Sequence, residues 1–203
     1  MIKNIIFDFG DVFINLDKEA TYKELVKLGV TEISEEMIQQ YYQYEMGLIS
    51  TEDFIEFFYN KFNIPKEDLI FSWNAILLDF PKHRLDFIKD LAASNQYRLF
   101  LLSNTNDMHI SWIQNDWGIE LYEEFKNCFE RFYLSHEINF RKPNSDIFEF
   151  VLKENNLQAS ETIFIDDTVE NTNAAQQLGI QVWNNCPKTE DVVDLLKRKE
   201  FAE

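Results

Sequence analysis

Cysteine is nearly absent: Cys128 and Cys186 are the only two in 203 residues. They lie too far apart for a zinc site, a redox pair or a disulfide framework, and read as ordinary intracellular thiols. Histidine is equally sparse. His83, His109 and His136 fall into no ligand spacing, so structural or exposed positions are expected for them. No uncharged stretch approaches the roughly 20 residues that a membrane span requires, and the first apolar stretch is broken at Asp8. A cytoplasmic, uncleaved protein with no membrane partner is expected. Basic residues are the scarcest charged class, 19 Lys+Arg against 36 Asp+Glu, for a net charge of −17. That field repels nucleic acid and anionic lipid, so no nucleic-acid partner is expected. A small phosphorylated substrate would meet the same repulsion. Any phosphate site must therefore be locally cationic, built from a metal ion and a few Lys or Arg. Internal repeats, low-complexity tracts and Gly/Ser linkers are also missing.

What is present is enough apolar material for an ordinary core: 45% of residues are hydrophobic and 15% aromatic, so no disulfide staples are needed. Short apolar runs alternate with helical patterns. Asn4-Ile5-Ile6-Phe7-Asp8, Arg98 to Ser103, Thr162 to Asp166 and the shorter Ile180 to Trp183 read as buried strands, with Arg131 to Ser135 weaker. Strands separated by helices imply a parallel α/β sheet. Between the first two strands, residues 18–80 read as helices only. Ser34 with Glu35 and Glu36 marks a helix start, Gly47 a stop, Ser50 with Asp53 a capping box, and Pro65 a first-turn proline. Phe54, Phe57, Phe58 and Phe62 recur at helical spacing, the pattern of one buried face. A crossover needs only about a dozen residues. The excess predicts an inserted helical subdomain, 18–80, over a core formed by 1–17 and 81–203.

In an open parallel sheet, ligands bind beyond the carboxyl ends of the strands. Those ends carry Phe7-Asp8-Phe9-Gly10-Asp11-Val12, Leu102-Ser103-Asn104-Thr105-Asn106 and Ile165-Asp166-Asp167-Thr168-Val169-Glu170-Asn171. Phe140-Arg141-Lys142-Pro143-Asn144 precedes the last of these, with Lys142 expected in a loop. Carboxylates from two strands, with backbone carbonyls between them, make a hard-oxygen site suited to Mg²⁺. Ser103 and Lys142 could hold phosphoryl oxygens while Asp8 attacks phosphorus to give an aspartyl-phosphate. Each residue alone has an ordinary explanation, since an Asp or Asn after a strand is usually a turn former or cap. The conjunction of four such segments in order is what points to chemistry. Asp166 and Asp167 are adjacent like charges that repel unless a cation intervenes.

These four segments, in this order, resemble the four motifs of the haloacid dehalogenase superfamily over essentially the whole chain. The likeness is strongest to its small sugar-phosphate phosphatases and to the phosphatase domain of soluble epoxide hydrolase. The resemblance implies a Rossmann-like, doubly wound core with a helical cap inserted after the first motif. It also implies a Mg²⁺-dependent phosphohydrolase acting on a small phosphorylated metabolite, such as a sugar phosphate. Carried over residue by residue, it makes Asp8 the nucleophile and a metal ligand, and Gly10 a ligand through its carbonyl. Ser103 and Asn104 would bind the phosphoryl group, and Lys142 would neutralise charge on nucleophile and transition state. Asp167 would be the second carboxylate on the metal, with Asp166 and Asn171 orienting its shell or waters.

One departure stands out. Most phosphatases of the superfamily carry a second aspartate two residues after the nucleophile, which protonates the leaving alcohol; here that position is Gly10. A positioned general acid/base is typically worth ~10²–10⁴ in rate, so better leaving groups are expected to be favoured. Asp11 could substitute if the turn aims it inward, although a turn-stabilising role is the more ordinary one. Tyr41, Tyr44, Glu45 and Trp73 could line a pocket, but at helical spacing aromatic residues are more often core.

Two rivals share the scaffold. A dehalogenase would use an attacking Asp without metal, and the Asp166–Asp167 pair disfavours it. A non-catalytic binding or regulatory protein is disfavoured by the joint presence of Asp8, Ser103, Lys142 and Asp167.

Overall fold

The computed structural model describes residues 1–201. Five strands, β1 (Asn4–Phe7), β2 (Arg98–Ser103), β3 (Arg131–Leu134), β4 (Thr162–Asp166) and β5 (Gln181–Asn184), form one sheet in the order β3-β2-β1-β4-β5. Every pairing is parallel. The central strands read as unbroken apolar runs because both of their faces are buried. Ile5, Phe7, Leu99, Leu101, Ile163 and Ile165 point into one cluster. Their alternating neighbours Ile6, Phe100, Leu102 and Phe164 point into another. Helices α5 (Lys82–Ser94), α6 (Asp107–Asp116) and α7 (Ile119–Lys126) cover the first face, and α9 (Ser145–Glu154) and α10 (Val169–Gln177) the second.

Strand β5 begins one residue later than expected. Ile180 closes the end of α10 instead, its N–H donating to the Ala175 carbonyl beside Gly179 at φ 82°.

Between β1 and α5 lie four further helices, α1 (Ala20–Lys27), α2 (Glu35–Glu45), α3 (Thr51–Phe62) and α4 (Lys66–Asn74). Ser34 caps α2, and Ser50 with Asp53 forms a reciprocal capping box on α3. Pro65 sits at the N-cap of α4 rather than in its first turn. These helices bury Leu25, Met37, Tyr44, Phe54, Phe58, Leu69 and Trp73 in a third cluster, with Phe57 and Phe62 packed at its edge. Among the described residues, Met108 is the one buried member of this cluster that comes from the sheet-bearing core.

The inserted helices dock through hydrogen bonds as well as packing. Met108 N–H donates to the Tyr44 hydroxyl at 3.1 Å. The Ser135 hydroxyl, at the start of the short helix α8 (Ser135–Ile138), donates to the Glu45 carbonyl at 2.6 Å. Asn139 reaches the Met46 carbonyl at 2.8 Å. Gly47 permits this approach: it has φ +64°, and a Cβ there would lie 2.0 Å from the His136 carbonyl oxygen. Among the described residues, no helix is long and apolar enough to cross a membrane.

Candidate active site

The carboxyl ends of β1, β2 and β4 converge on a cavity of about 520 Å³, closed on its other side by α2. Asp8 follows β1 directly. Its N–H donates to Ile165 at 2.8 Å, continuing the β1–β4 ladder by one residue, and its buried side chain meets the cavity. The chain then turns sharply. Asp11 adopts φ 54°, its N–H donating to the Ile14 carbonyl at 2.7 Å.

Lys142 organises the centre. It is 1% exposed, its Nζ lies 2.7 Å from Asp8 Oδ1 and 2.7 Å from Asp166 Oδ2. Asp166 is fully buried and accepts two further hydrogen bonds, from Thr168 N–H at 2.7 Å and Asn171 Nδ2 at 3.0 Å. The loop carrying Lys142 is fixed by Asn104, whose side chain accepts from Lys142 N–H and donates to the Lys142 carbonyl, both at 2.9 Å. The Asn104 amide is thereby committed to the lysine loop. The Ser103 hydroxyl, by contrast, has only a marginal contact to the Asn104 carbonyl at 3.5 Å and lines the cavity.

Asp8, Asp166 and Asp167 each place a carboxylate oxygen within 4.8 Å of the others. Asp167 pairs with Lys18, which also lies 3.1 Å from Asp11 Oδ2. Four carboxylates, of Asp8, Asp11, Asp166 and Asp167, thus meet two ammonium groups, of Lys18 and Lys142. The formal surplus of two negative charges, with three of the carboxylates clustered, suits a hard divalent cation that prefers oxygen donors.

Electrostatics follow from this crowding. Burial pushes the Asp8 carboxyl up to about 7, with Lys142 opposing and Asp166 and Asp167 adding repulsion. Burial alone would lower the Lys142 ammonium, but Asp166 and Asp8 more than offset it, so its affinity for the proton rises and it stays charged. Asp167 is raised by burial, against the attraction of Lys18.

Of the residues expected from sequence, Asp8, Gly10, Ser103, Asn104, Lys142, Asp167 and Asn171 all line the cavity, and Asp166 sits immediately behind Lys142. Asp11 does not line it. Its carboxylate accepts from Leu16 N–H at 3.1 Å and faces Lys18, and its carbonyl accepts from Asn185 at 3.3 Å. These contacts are those of the turn-stabilising role that is ordinary for such a residue. Tyr41 and Glu45 reach the cavity, while Tyr44 and Trp73 belong to the inserted cluster. Lys18, Tyr42, His109 and Arg141 also line the cavity; no spacing or motif in the sequence singles out Lys18, Tyr42 or His109, whereas Arg141 stands in the segment of Lys142 without a role of its own.

A parallel α/β core with a carboxylate–lysine centre at the ends of its strands, and helices inserted after the first, is the layout of a hydrolase. The chain belongs to the haloacid dehalogenase-like hydrolases, whose sequence profile matches residues 5–184. It is similar to the D-ribitol-5-phosphate phosphatase of Bacteroides thetaiotaomicron, 28% identical over 90% of this chain and 91% of that one. A family enzyme from the same organism, solved as a magnesium complex, superposes with a TM-score of 0.85. It is 33% identical, covering 97% of this chain and 99% of that one. The sesquiterpene phosphatase of Aspergillus oryzae is 24% identical over 88% of this chain and 87% of its own length.

Proposed function

We propose that the protein is a Mg²⁺-dependent phosphatase that hydrolyses a small phosphorylated metabolite, of the sugar-phosphate kind, through an aspartyl-phosphate on Asp8. The observation that carries this reading is the Lys142 ammonium, 2.7 Å from both Asp8 and Asp166, beside three clustered carboxylates in an otherwise acidic chain. It supplies the local positive charge that a phosphate ester needs there. The relatives named as phosphatases, and the magnesium complex of a structural neighbour, support the same reading.

Asp8 Oδ2 is the oxygen left to attack, since Oδ1 is held by Lys142. Attack forms the Oδ–P bond as the ester P–O bond breaks, and the alcohol leaves as its oxyanion or takes a proton from water. A water molecule then cleaves the acyl phosphate, restoring Asp8 and releasing inorganic phosphate. Lys142 offsets charge on the carboxylate and on the equatorial phosphoryl oxygens, with Ser103 Oγ and the backbone after β2 as hydrogen-bond donors. Asp166 and Asn104 act through Lys142, one holding its ammonium and the other its backbone. Asp8, Asp167 and the Gly10 carbonyl would hold Mg²⁺, with Asp166 and Asn171 at its margin. The ion supplies charge neutralisation for the phosphoryl group. Residues 18–80 act as the cap that closes the cavity and selects the alcohol.

A dehalogenase on the same scaffold would have no need of the Asp166–Asp167 pair or of a divalent ion. Phosphate release from a panel of sugar phosphates, nucleotides, acyl phosphates and cofactor phosphates separates the two readings. Release dependent on Mg²⁺, abolished by EDTA and by Asp8→Asn, is expected. Halide release that survives EDTA would replace the reading with the rival.

A further inference from the structure

Arg141 stands next to Lys142 in sequence, lines the same cavity, and has no part in the chemistry above. It is held firmly. Its Nε donates to Glu45 Oε2 at 2.8 Å, and its guanidinium carbon lies 4.0 Å from the centroid of the Tyr42 ring. Glu45 is itself fixed: Oε1 accepts the Tyr41 hydroxyl at 2.6 Å, its carbonyl accepts the Ser135 hydroxyl, and the residue is 3% exposed. A guanidinium carries five N–H donors, and this one commits only Nε to protein. Among the described residues, Nη1 and Nη2 of Arg141 meet no acceptor.

We infer that Arg141, clamped by Glu45 and Tyr42, reads the part of the substrate beyond the phosphate, and that what it reads is hydroxyl groups: the substrate is a polyol or open-chain sugar phosphate. This rests on the phosphatase reading and sharpens it. Two physical arguments select hydroxyls. The Glu45 carboxylate neutralises Arg141 at 2.8 Å, which weakens its pull on a second anionic group while leaving its neutral-acceptor capacity intact. An apolar tail, such as a terpenoid chain, could rest on Ile14, Leu16, Ile76 and Leu77 across the cavity. It would, however, strip water from the two Nη groups without giving them an acceptor, a penalty that a hydroxyl avoids. The clamp joins α2 of the inserted segment to the loop of the catalytic lysine, so the group that recognises the alcohol and the group that stabilises the phosphoryl transfer share one backbone segment.

The test compares two substrates with the same primary-alcohol leaving group, a pentitol 5-phosphate and n-pentyl phosphate, using the full chain with Mg²⁺. Wild type is expected to favour the pentitol ester in kcat/KM by about 10–100-fold, the range of a charge-assisted hydrogen bond. In Arg141→Met that ratio is expected to fall toward 1, and in Glu45→Gln, which loosens the arginine, to an intermediate value. A wild-type ratio near 1, or a preference for the pentyl ester, overturns the inference without recourse to any variant. An Arg141→Met enzyme that loses both activities equally also overturns it, by making Arg141 a phosphate ligand. If wild type releases no phosphate from either ester or from p-nitrophenyl phosphate, the phosphatase reading itself fails. Turnover of p-nitrophenyl phosphate with a ratio of 1 leaves that reading standing.

Discussion

Lys142 Nζ sits 2.7 Å from Asp8 Oδ1 and is itself only 1% exposed, so the proposed nucleophile and its counter-charge form a buried ion pair. A second carboxylate, Asp166, shares the same ammonium at 2.7 Å. Removing one member of a buried pair leaves uncompensated charge and costs about 3–5 kcal/mol. Lys142→Met is therefore expected to lower stability by that order and to abolish turnover. Adding Asp166→Asn should recover part of the stability and none of the activity, because the two residues share one network. Urea unfolding of the single and double variants checks this. Equal destabilisation in both would show that Asp166 is not held by Lys142.

Metal binding should be coupled to the proton on Asp8. Burial raises its carboxyl from the ordinary range to about 7, so between about pH 4 and pH 7 the folded, metal-free protein holds a proton that the unfolded chain has released. That contribution favours the folded state at the acid end of the window and is lost as pH rises through 7. A cation that needs the ionised carboxylate must displace this proton. Calorimetric titration with Mg²⁺ is expected to show affinity falling as pH drops from 8 to 6, with proton release approaching one per ion, measured in two buffers of different ionisation enthalpy. Asp8→Asn should abolish the release. Proton-independent binding in the wild type would contradict the assignment.

His109 gives the opposite dependence. Asn106 Oδ1 accepts from His109 N–H at 3.1 Å, which fixes the amide so that its Nδ2 faces His109 Nδ1 at 3.2 Å. His109 Nε2 then donates to the Trp73 carbonyl at 3.2 Å. Nδ1 is left as acceptor, and protonating it would set two donors against each other. Burial lowers the imidazole to about 4, against the hydrogen bond to Trp73 and with a smaller contribution from His136. The unfolded chain binds the extra proton between about pH 4 and 6.5, so this stability is complete above 6.5 and lost as pH falls toward 4. The residue keeps some exposure at the cavity wall, and solvent screening reduces the effect to about 1–2 kcal/mol. With Mg²⁺ saturating to hold Asp8 ionised, the wild type is expected to lose stability relative to His109→Gln on acidification from pH 7.5 to 5. A constant difference would contradict this.

Gly10 stands where the usual proton donor would be, and the Asp11 carboxylate is engaged by Leu16 N–H and the Lys18 ammonium. The rate should therefore fall steeply as the leaving-group pKa rises across aryl, anomeric and alkyl phosphates. A Cβ at position 10 would lie 2.7 Å from Leu16 Cδ1. Gly10→Asp alone is expected to be hampered by that contact, whereas Gly10→Asp with Leu16→Ala should raise turnover of alkyl phosphates by ~10–100-fold and flatten the dependence. A wild type already insensitive to leaving group would mean that some other residue supplies the proton.

The sheet was legible because its central strands are buried on both faces and so read as apolar runs. β5 was less so, since Gln181 and Val182 are only partly buried and Ile180 serves the helix before it. Asp8, Ser103, Lys142, Asp166 and Asp167 were legible because each stands in a local segment at a strand end or in the loop before α9. Lys18 and His109 were not, and Arg141, although it stands beside Lys142 in its segment, carried no role there. Lys18 meets Asp167 across 149 positions, and Arg141 meets Glu45 across 96. Such meetings depend on how the inserted helices dock, which no short-range pattern encodes. Asp11 could be read either way: the conditional proton-donor role and the more ordinary turn-stabilising one differ only in backbone direction, and its left-handed conformation puts the carboxylate on Leu16 N–H and Lys18.

The central claim is the covalent bond between Asp8 and phosphorus. Borohydride added during steady-state turnover of p-nitrophenyl phosphate with Mg²⁺ reduces an aspartyl-phosphate to homoserine, which peptide mass spectrometry locates. Homoserine at position 8, dependent on both substrate and Mg²⁺, is the predicted result. Turnover that persists in Asp8→Asn, with no reduced residue at position 8 in the wild type, would contradict it.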